Sequence, residues 1–124
     1  MGYWKIKRRP ADIKFSQWLR KKRNYICEKC GRRHQPDSKG LGVSHFWGRI
    51  HECTRFNEVN CDIFCNIPCH EYFETHRTEY EKWKEKRLGT KIYKELMLAA
   101  HQNCKKDDAS VLLFLKDIEK KYKI

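Results

Sequence analysis

The chain has 124 residues, enough for one domain and too few for two independent cores. Apolar residues make up 40% and charged residues 35%, so the core is thin and needs a further staple, for which seven cysteines are the evident source. Lys and Arg number 28 against 16 acidic residues, and the resulting net charge of +12 suits a polyanionic partner such as nucleic acid. A membrane role is disfavoured, because the longest apolar block, Val111 to Leu115, falls far short of the roughly 20 residues that span a bilayer. The N-terminal stretch MGYWKIKRRPADIKF is basic and lacks the apolar run of a secretory signal. That places the chain in a reducing cytoplasm, with its cysteines as metal ligands or free thiols and not cystines.

In chain order, residues 1–24 read as a basic arm followed by a helix that starts at Pro10, with Ile13, Phe15, Trp18 and Leu19 near helical spacing. Residues 25–69, the first part of a core that runs over 25–89, hold six of the seven cysteines within irregular, glycine-containing sequence. A strand is predicted over Leu41 to Phe46 and a shorter one around Asp62 to Phe64. From His70 the apolar residues Phe73, Tyr80, Trp83 and Leu88, together with His76, follow one helical stripe up to a stop at Gly89. Residues 90–124 read as two helices, one capped by Thr90 with Ile92, Tyr93, Leu96, Met97 and Ala100 on its apolar face. The second starts at Asp107 or Asp108 and carries Val111, Leu112, Leu115, Ile118 and Tyr122. The pair is expected to form an antiparallel hairpin, packed on the core or on a second copy of the chain. The fold class is therefore α+β, a small core with flanking helices at both ends.

Cys27-x2-Cys30-Gly31 has the form of a thiolate knuckle, in which two sulfurs from one tight turn reach one metal and the glycine lets the backbone fold around it. Cys65-x3-Cys69 supplies the second pair, 35 residues beyond Cys30. Four thiolates fit a closed structural Zn2+ site, which contributes on the order of 10 kcal/mol of folding free energy or more. Cys61, four residues before Cys65, is an alternative ligand, while Cys53 and Cys104 read as free core thiols.

Between and after the cysteine pairs come His45, Asn60 and His70. In the blocks ADIKFSQWLRKKRNYICEKCG, VSHFWGRIHECTRFNEVNC and CNIPCHEYFETHRTEYEKWKEKRLG, the chain resembles the HNH, or ββα-metal, endonucleases with an embedded zinc knuckle. The likeness is greatest to the NinG and Rap recombination nucleases of lambdoid phages, and it covers roughly residues 11–89. It implies a zinc-stapled ββα-metal core and hydrolysis of phosphodiester bonds in DNA, with branched or recombination-intermediate DNA as substrate. It also implies a bacterial host cytoplasm if the chain is phage-encoded. By the same resemblance, His45 is the general base and Asn60 holds that base or its loop in register. His70 would bind a catalytic Mg2+ or Mn2+, with Glu74 one turn later as a second ligand. Many members carry Asp where this chain has Ser44, which leaves His51, Glu52 or the phosphate itself as possible further ligands. Alternatives are an HNH nuclease of another role, in homing, packaging or restriction, and, without catalysis, a zinc-dependent DNA-binding regulator or a phage interaction or packaging accessory.

Contacts to DNA are expected from Lys5, Lys7, Arg8 and Arg9, then from Arg20, Lys21, Lys22 and Arg23, and from Arg55. Tyr3 and Trp4 beside the first group are candidates for stacking on unpaired bases. Arg49 is expected to clamp the scissile phosphate, since its fork geometry fits phosphate oxygens.

Overall fold

A computed structural model describes residues 7–122 as an α+β fold in which a two-stranded sheet is enclosed by five helices. Lys5, Tyr3 and Trp4 lie outside the described residues. Helix α1, Pro10–Lys22, opens with proline in its first turn, where the missing N–H costs nothing. The Arg9 amide donates to Asp12 Oδ2 at 2.6 Å, and Arg20, Lys21 and Lys22 close the helix against its dipole. Ala11, Phe15, Trp18 and Leu19 are its buried face.

Asn24 and Tyr25, with φ of 60° and 57°, reverse the chain into the knuckle. There Gly31, at φ 79°, takes the left-handed conformation that the tight turn requires. Strand β1, Leu41–His45, pairs antiparallel with β2, Cys61–Cys65, in the register Leu41↔Cys65, Val43↔Ile63 and His45↔Cys61. Every residue of β2 is buried. The Glu28 amide donates to Ile63 O at 2.7 Å and its carboxylate accepts from the Ile63 amide at 2.8 Å, so the knuckle is docked directly on β2.

The single helix expected after His70 is two: α2, Glu71–Thr75, and α3, Arg77–Leu88, broken at His76 with φ −128° and ψ 68°. The break has a local cause. Thr75 Oγ1 bonds the carbonyls of Glu71 and Tyr72, each at 3.1 Å, and His76 Nδ1 donates to Tyr72 O at 2.9 Å, so side chains take carbonyls that a continuing helix would use. His76 is thereby exposed and stacked on Tyr72, not packed in the Phe73–Tyr80–Trp83 cluster. Gly89, at φ 85°, ends α3 as expected.

Helices α4, Thr90–Ala100, and α5, Asp108–Tyr122, do not form the expected hairpin. Helix α4 packs on α3 and on the 3-10 turn Glu52–Thr54, while α5 packs on α1. That arrangement brings Cys53 and Cys104 to a Cα separation of 5.2 Å, within disulfide range, and they are bonded to each other. The expectation of free core thiols, and of a chain without cystines, is corrected for this pair. Among the described residues no helix is long and apolar enough to cross a membrane.

Phe64 on β2 sits among Phe73, Tyr80 and Trp83, with ring centroids 5.3 to 5.7 Å away. Beneath this cluster a polar chain runs through the core. Lys84 Nζ donates to Asp62 Oδ1 at 2.8 Å, Tyr80 donates its hydroxyl to Asp62 Oδ2 at 2.6 Å, and the Ser44 hydroxyl meets Tyr80 at 3.0 Å. Burial pushes the Asp62 carboxyl up despite its two donors, which marks how dry the site is. Lys84→Met leaves Asp62 buried without its cation, an uncompensated charge that costs about 3–5 kcal/mol. A urea unfolding curve for that variant is expected to show the loss, and a midpoint equal to the wild type refutes the assignment.

Candidate functional site

The sulfurs of Cys27, Cys30, Cys65 and Cys69 lie within 4.8 Å of one another, so the two cysteine pairs present one donor set that can hold a metal ion. The spacing Cys65-x3-Cys69 is one residue longer than Cys27-x2-Cys30, and the three intervening residues are exposed with Ile67 extended, so the added residue is taken up in the loop and Cys69 still reaches the cluster. Burial raises the Cys27 thiol, but amide donors from Cys30, Cys65 and Lys29 outweigh it and bring the group down to about 7. Cys65 and Cys69 are pushed up to about 12 by burial and by the neighbouring sulfurs. Neighbouring sulfurs that raise Cys65 and Cys69 in this way form a set that a cation would relieve. His34, which no local pattern marks, places Nε2 3.1 Å from Cys65 Sγ and supports that sulfur from outside the set. Cys61, at the far end of β2 and buried, is not part of the cluster.

Beside the cluster, a groove of about 620 Å3 runs between the β1 end and the α2–α3 wall. His45, Arg49, His70 and Glu74 all line it, joined by Arg8 and Arg77. His70 follows Cys69 directly and its Nε2 lies 3.3 Å from Glu74 Oε1. Burial lowers the His70 pKa, with Glu74 acting in the opposite direction. Arg77 was not singled out from the sequence, although it lies seven residues after His70. Its guanidinium rests 4.1 Å from the Phe46 ring centre and donates to Phe46 O at 2.8 Å. A larger hollow of about 970 Å3 is walled by Phe15, Trp18, Phe56 and Phe114 and has no histidine, so it lacks the groove's chemistry.

His45 Nε2 is 3.0 Å from the carbonyl oxygen of Arg55. A carbonyl only accepts, so Nε2 carries the proton and Nδ1 keeps its lone pair. Burial, then the charge of Arg49, lower this imidazole to about 4. The Arg55 carbonyl is fixed in turn by its own side chain. Arg55 Nε and Nη2 bond the two oxygens of Asp12 at 2.9 and 2.6 Å, Nη1 reaches Arg49 O at 3.3 Å, and Nη2 reaches Lys7 O at 3.2 Å.

Asn60 is fully buried and does not line the groove. It holds the loop after His45. Its Oδ1 accepts from the Trp47 amide at 2.8 Å, its Nδ2 donates to Trp47 O at 2.8 Å and Thr54 O at 3.2 Å, and its carbonyl accepts from the Phe46 amide at 2.9 Å. Asn60 is thus a positioning residue. The Ser44 hydroxyl is committed to Tyr80, while Glu52 is paired with Arg9 at 2.6 Å and His51 leans on Trp47. His51 and Glu52 do not line the groove and give it no further ligand.

Of the expected DNA contacts, Lys7, Arg8, Lys21 and Lys22 are exposed and Arg20 is half-buried, with Nε 3.3 Å from Ser16 O. Three others face inward and are corrected. Arg55 is 4% exposed and bound to Asp12. Arg23 donates to Cys61 O and Glu58 O at 2.7 and 2.9 Å and pairs with Glu28. Arg9 joins Glu52 and Asp108 at 2.6 and 3.1 Å. In each case buried or half-buried carbonyls or carboxylates hold the guanidinium. No protein-family model, curated protein or solved structure matches the chain.

Two outcomes follow. In the folded protein His45 takes its proton only near pH 4, whereas the unfolded chain takes it near pH 6.5. The unfolded state therefore holds more protons between those values, and the stability His45 contributes is complete above about pH 6.5 and lost as pH falls toward 4. An NMR titration of the His45 ring is expected to give a midpoint near 4, and a midpoint near 6.5 refutes the burial argument. If the four cysteines hold a structural ion, treatment with a chelator, or Cys65→Ser, is expected to abolish the cooperative thermal transition. A melting curve unchanged by metal removal rules out a structural ion.

Proposed function

We propose that the protein is a metal-dependent DNA endonuclease of the HNH, or ββα-metal, type, with Zn2+ on Cys27, Cys30, Cys65 and Cys69. The observation that carries this reading is a single groove lined by His45, Arg49, His70 and Glu74, set in β-β-α order beside a four-cysteine cluster. Closed four-thiolate sets fit structural zinc, and imidazole with a carboxylate fits a second, exchangeable cation. His70, with Glu74 one turn on, would hold Mg2+ or Mn2+. When bound, that cation neutralises phosphate charge and stabilises the leaving oxygen.

The chain's own groups do the rest. His45 is neutral at physiological pH and offers Nδ1 to a water, and the Arg55 carbonyl stabilises the imidazolium that forms. The positive charge of Arg49 is among the causes that weaken this base. A phosphodiester seated against Arg49 cancels part of that charge, so substrate strengthens the base that activates the attacking water. Arg8 and Arg77 extend the positive lining on either side, and Lys7, Lys21 and Lys22 supply exposed cations for the backbone beyond. Branched or recombination-intermediate DNA is the substrate class that the sequence resemblance favours. A homodimer through α5, where Leu113 and Phe114 are 69% and 55% exposed, would set two grooves on one junction.

Purified protein incubated with supercoiled, single-stranded and four-way-junction DNA plus Mg2+ or Mn2+ is expected to cut at least one of them. His45→Ala is expected to lower the rate by about 10²–10⁴-fold while binding is retained. Binding without cleavage under every cation identifies a DNA-binding regulator instead.

A further inference from the structure

Cys53 stands in the middle of the 3-10 turn Glu52–Thr54, inside the loop that joins β1 to β2. That loop shapes one wall of the groove. Arg55, two residues after Cys53, gives its carbonyl to His45 Nε2 at 3.0 Å, and Arg49, four residues before, lines the groove itself. Cys104 stands in the connection from α4 to α5, where Asn103, Cys104, Lys105 and Lys106 are all exposed. Among the described residues, none of these four makes a backbone-to-backbone hydrogen bond. The disulfide, which closes 51 residues of chain, is therefore what ties this stretch to the groove loop. Noncovalent ties lie only to either side of it: His51 Nδ1 donates to Ala100 O at 3.1 Å, and Arg9 bridges Glu52 and Asp108 at 2.6 and 3.1 Å. Cys53 and Cys104 both line a hollow of about 250 Å3 together with Glu52, Phe56 and Lys105, so a small thiol has a route to the bond.

We propose that the Cys53–Cys104 disulfide is a reversible redox latch, opened by a dithiol and closed again by exchange with a small disulfide, that holds the groove loop against the α4–α5 connection. Cys104 is exposed and Cys53 half-buried, so attack falls on the Cys104 sulfur. One thiolate of the reductant bonds to Cys104 Sγ, and Cys53 leaves as a thiolate that takes a proton. The reductant's second thiolate then attacks its own bonded sulfur, departs as a cyclic disulfide and releases the Cys104 thiolate, which is protonated in turn. Two electrons and two protons pass from the dithiol to the protein, and closure is the same exchange run backwards. Exposed disulfides are the labile and regulatory ones, whereas buried ones resist the thiol pool. The open state stays folded, because Asn60 still holds Thr54 O at 3.2 Å and Asp12 still holds the Arg55 guanidinium. What gains freedom is the stretch before Thr54 and the connection that faces it. The latch uses no residue of the four-cysteine cluster and does not depend on the nuclease reading.

The test follows the bond and the loop separately in the native full-length protein. Peptide mapping is expected to show Cys53 and Cys104 linked at the start, free after dithiothreitol, and linked again once the dithiol is replaced by glutathione disulfide. Amide hydrogen exchange, read by mass spectrometry with a phosphine as reductant, is expected to quicken on the order of tenfold over residues 48–54 and 99–108 while β1 and β2 are unchanged. Cys53→Ser/Cys104→Ser is expected to match reduced wild type with or without the phosphine, which separates the latch from any effect of reductant on the four-cysteine cluster. A disulfide that opens only in unfolded protein, one that fails to close again, or equal exchange in the two redox states overturns the proposal.

Discussion

The geometry of the groove hangs on a carboxylate and a guanidinium that are almost wholly removed from water, Asp12 at 2% and Arg55 at 4% exposure. Taking both charges out of solvent is costly, and bidentate bonding at 2.9 and 2.6 Å offsets that cost. Burial pushes the Asp12 carboxyl up, and its bonds to Arg55 and to the Arg9 amide more than reverse this, so the acid stays ionised. From this pair the bonding spreads. Asp12 closes the first turn of α1, the Arg55 carbonyl sets the His45 tautomer, and the Arg55 guanidinium holds the backbone at Arg49 and Lys7. Three functional features thus share one anchor between helix α1 and a loop more than 40 residues away.

The opposite wall has a different anchor. His70 is placed by Cys69, and Cys69 is placed by the sulfur cluster, which Glu28 in turn docks on β2. Asn60 completes the first wall by bonding the loop at Phe46, Trp47 and Thr54. The sheet joins the two systems, because β1 ends in His45 and β2 ends in Cys65. A two-stranded sheet is too small to be rigid by itself. Here it is held from both ends, by ion pairing on one side and by the docked cysteine cluster on the other.

Much of this was legible in the sequence where the signal is local. Pro10, Gly89 and the apolar spacing of α1 and α4 marked those helices, and the two short cysteine spacings marked the cluster, because each depends only on neighbouring residues. Contacts set by distant partners were not legible. Arg9, Arg23 and Arg55 look like an exposed basic surface until Glu52, Glu58 O and Asp12 are brought to them by the fold. The pairing of Cys53 with Cys104, 51 residues apart, depends on how α4 packs, and no periodicity reports that. The break at His76 was hidden because its cause is side-chain competition for carbonyls, while the apolar stripe continues through it. Asn60 was found for the right loop, but its complete burial came from four hydrogen bonds that a linear pattern does not display.

Helix α2 is only five residues long, far below the roughly 12–15 at which an isolated helix becomes marginally stable. Its order is borrowed from Cys69 at one end, from Thr75 and His76 at the other, and from Phe73 stacked 4.7 Å from Tyr80. Helix α3 is pinned separately by Lys84 to Asp62. With an ion held by the four cysteines, as proposed, the short segment that carries His70 and Glu74 would open and close together with the sulfur cluster and not with global unfolding. Under the proposed function, an ion that never touches the reacting atoms would in this way govern how long His70 and Glu74 stay assembled.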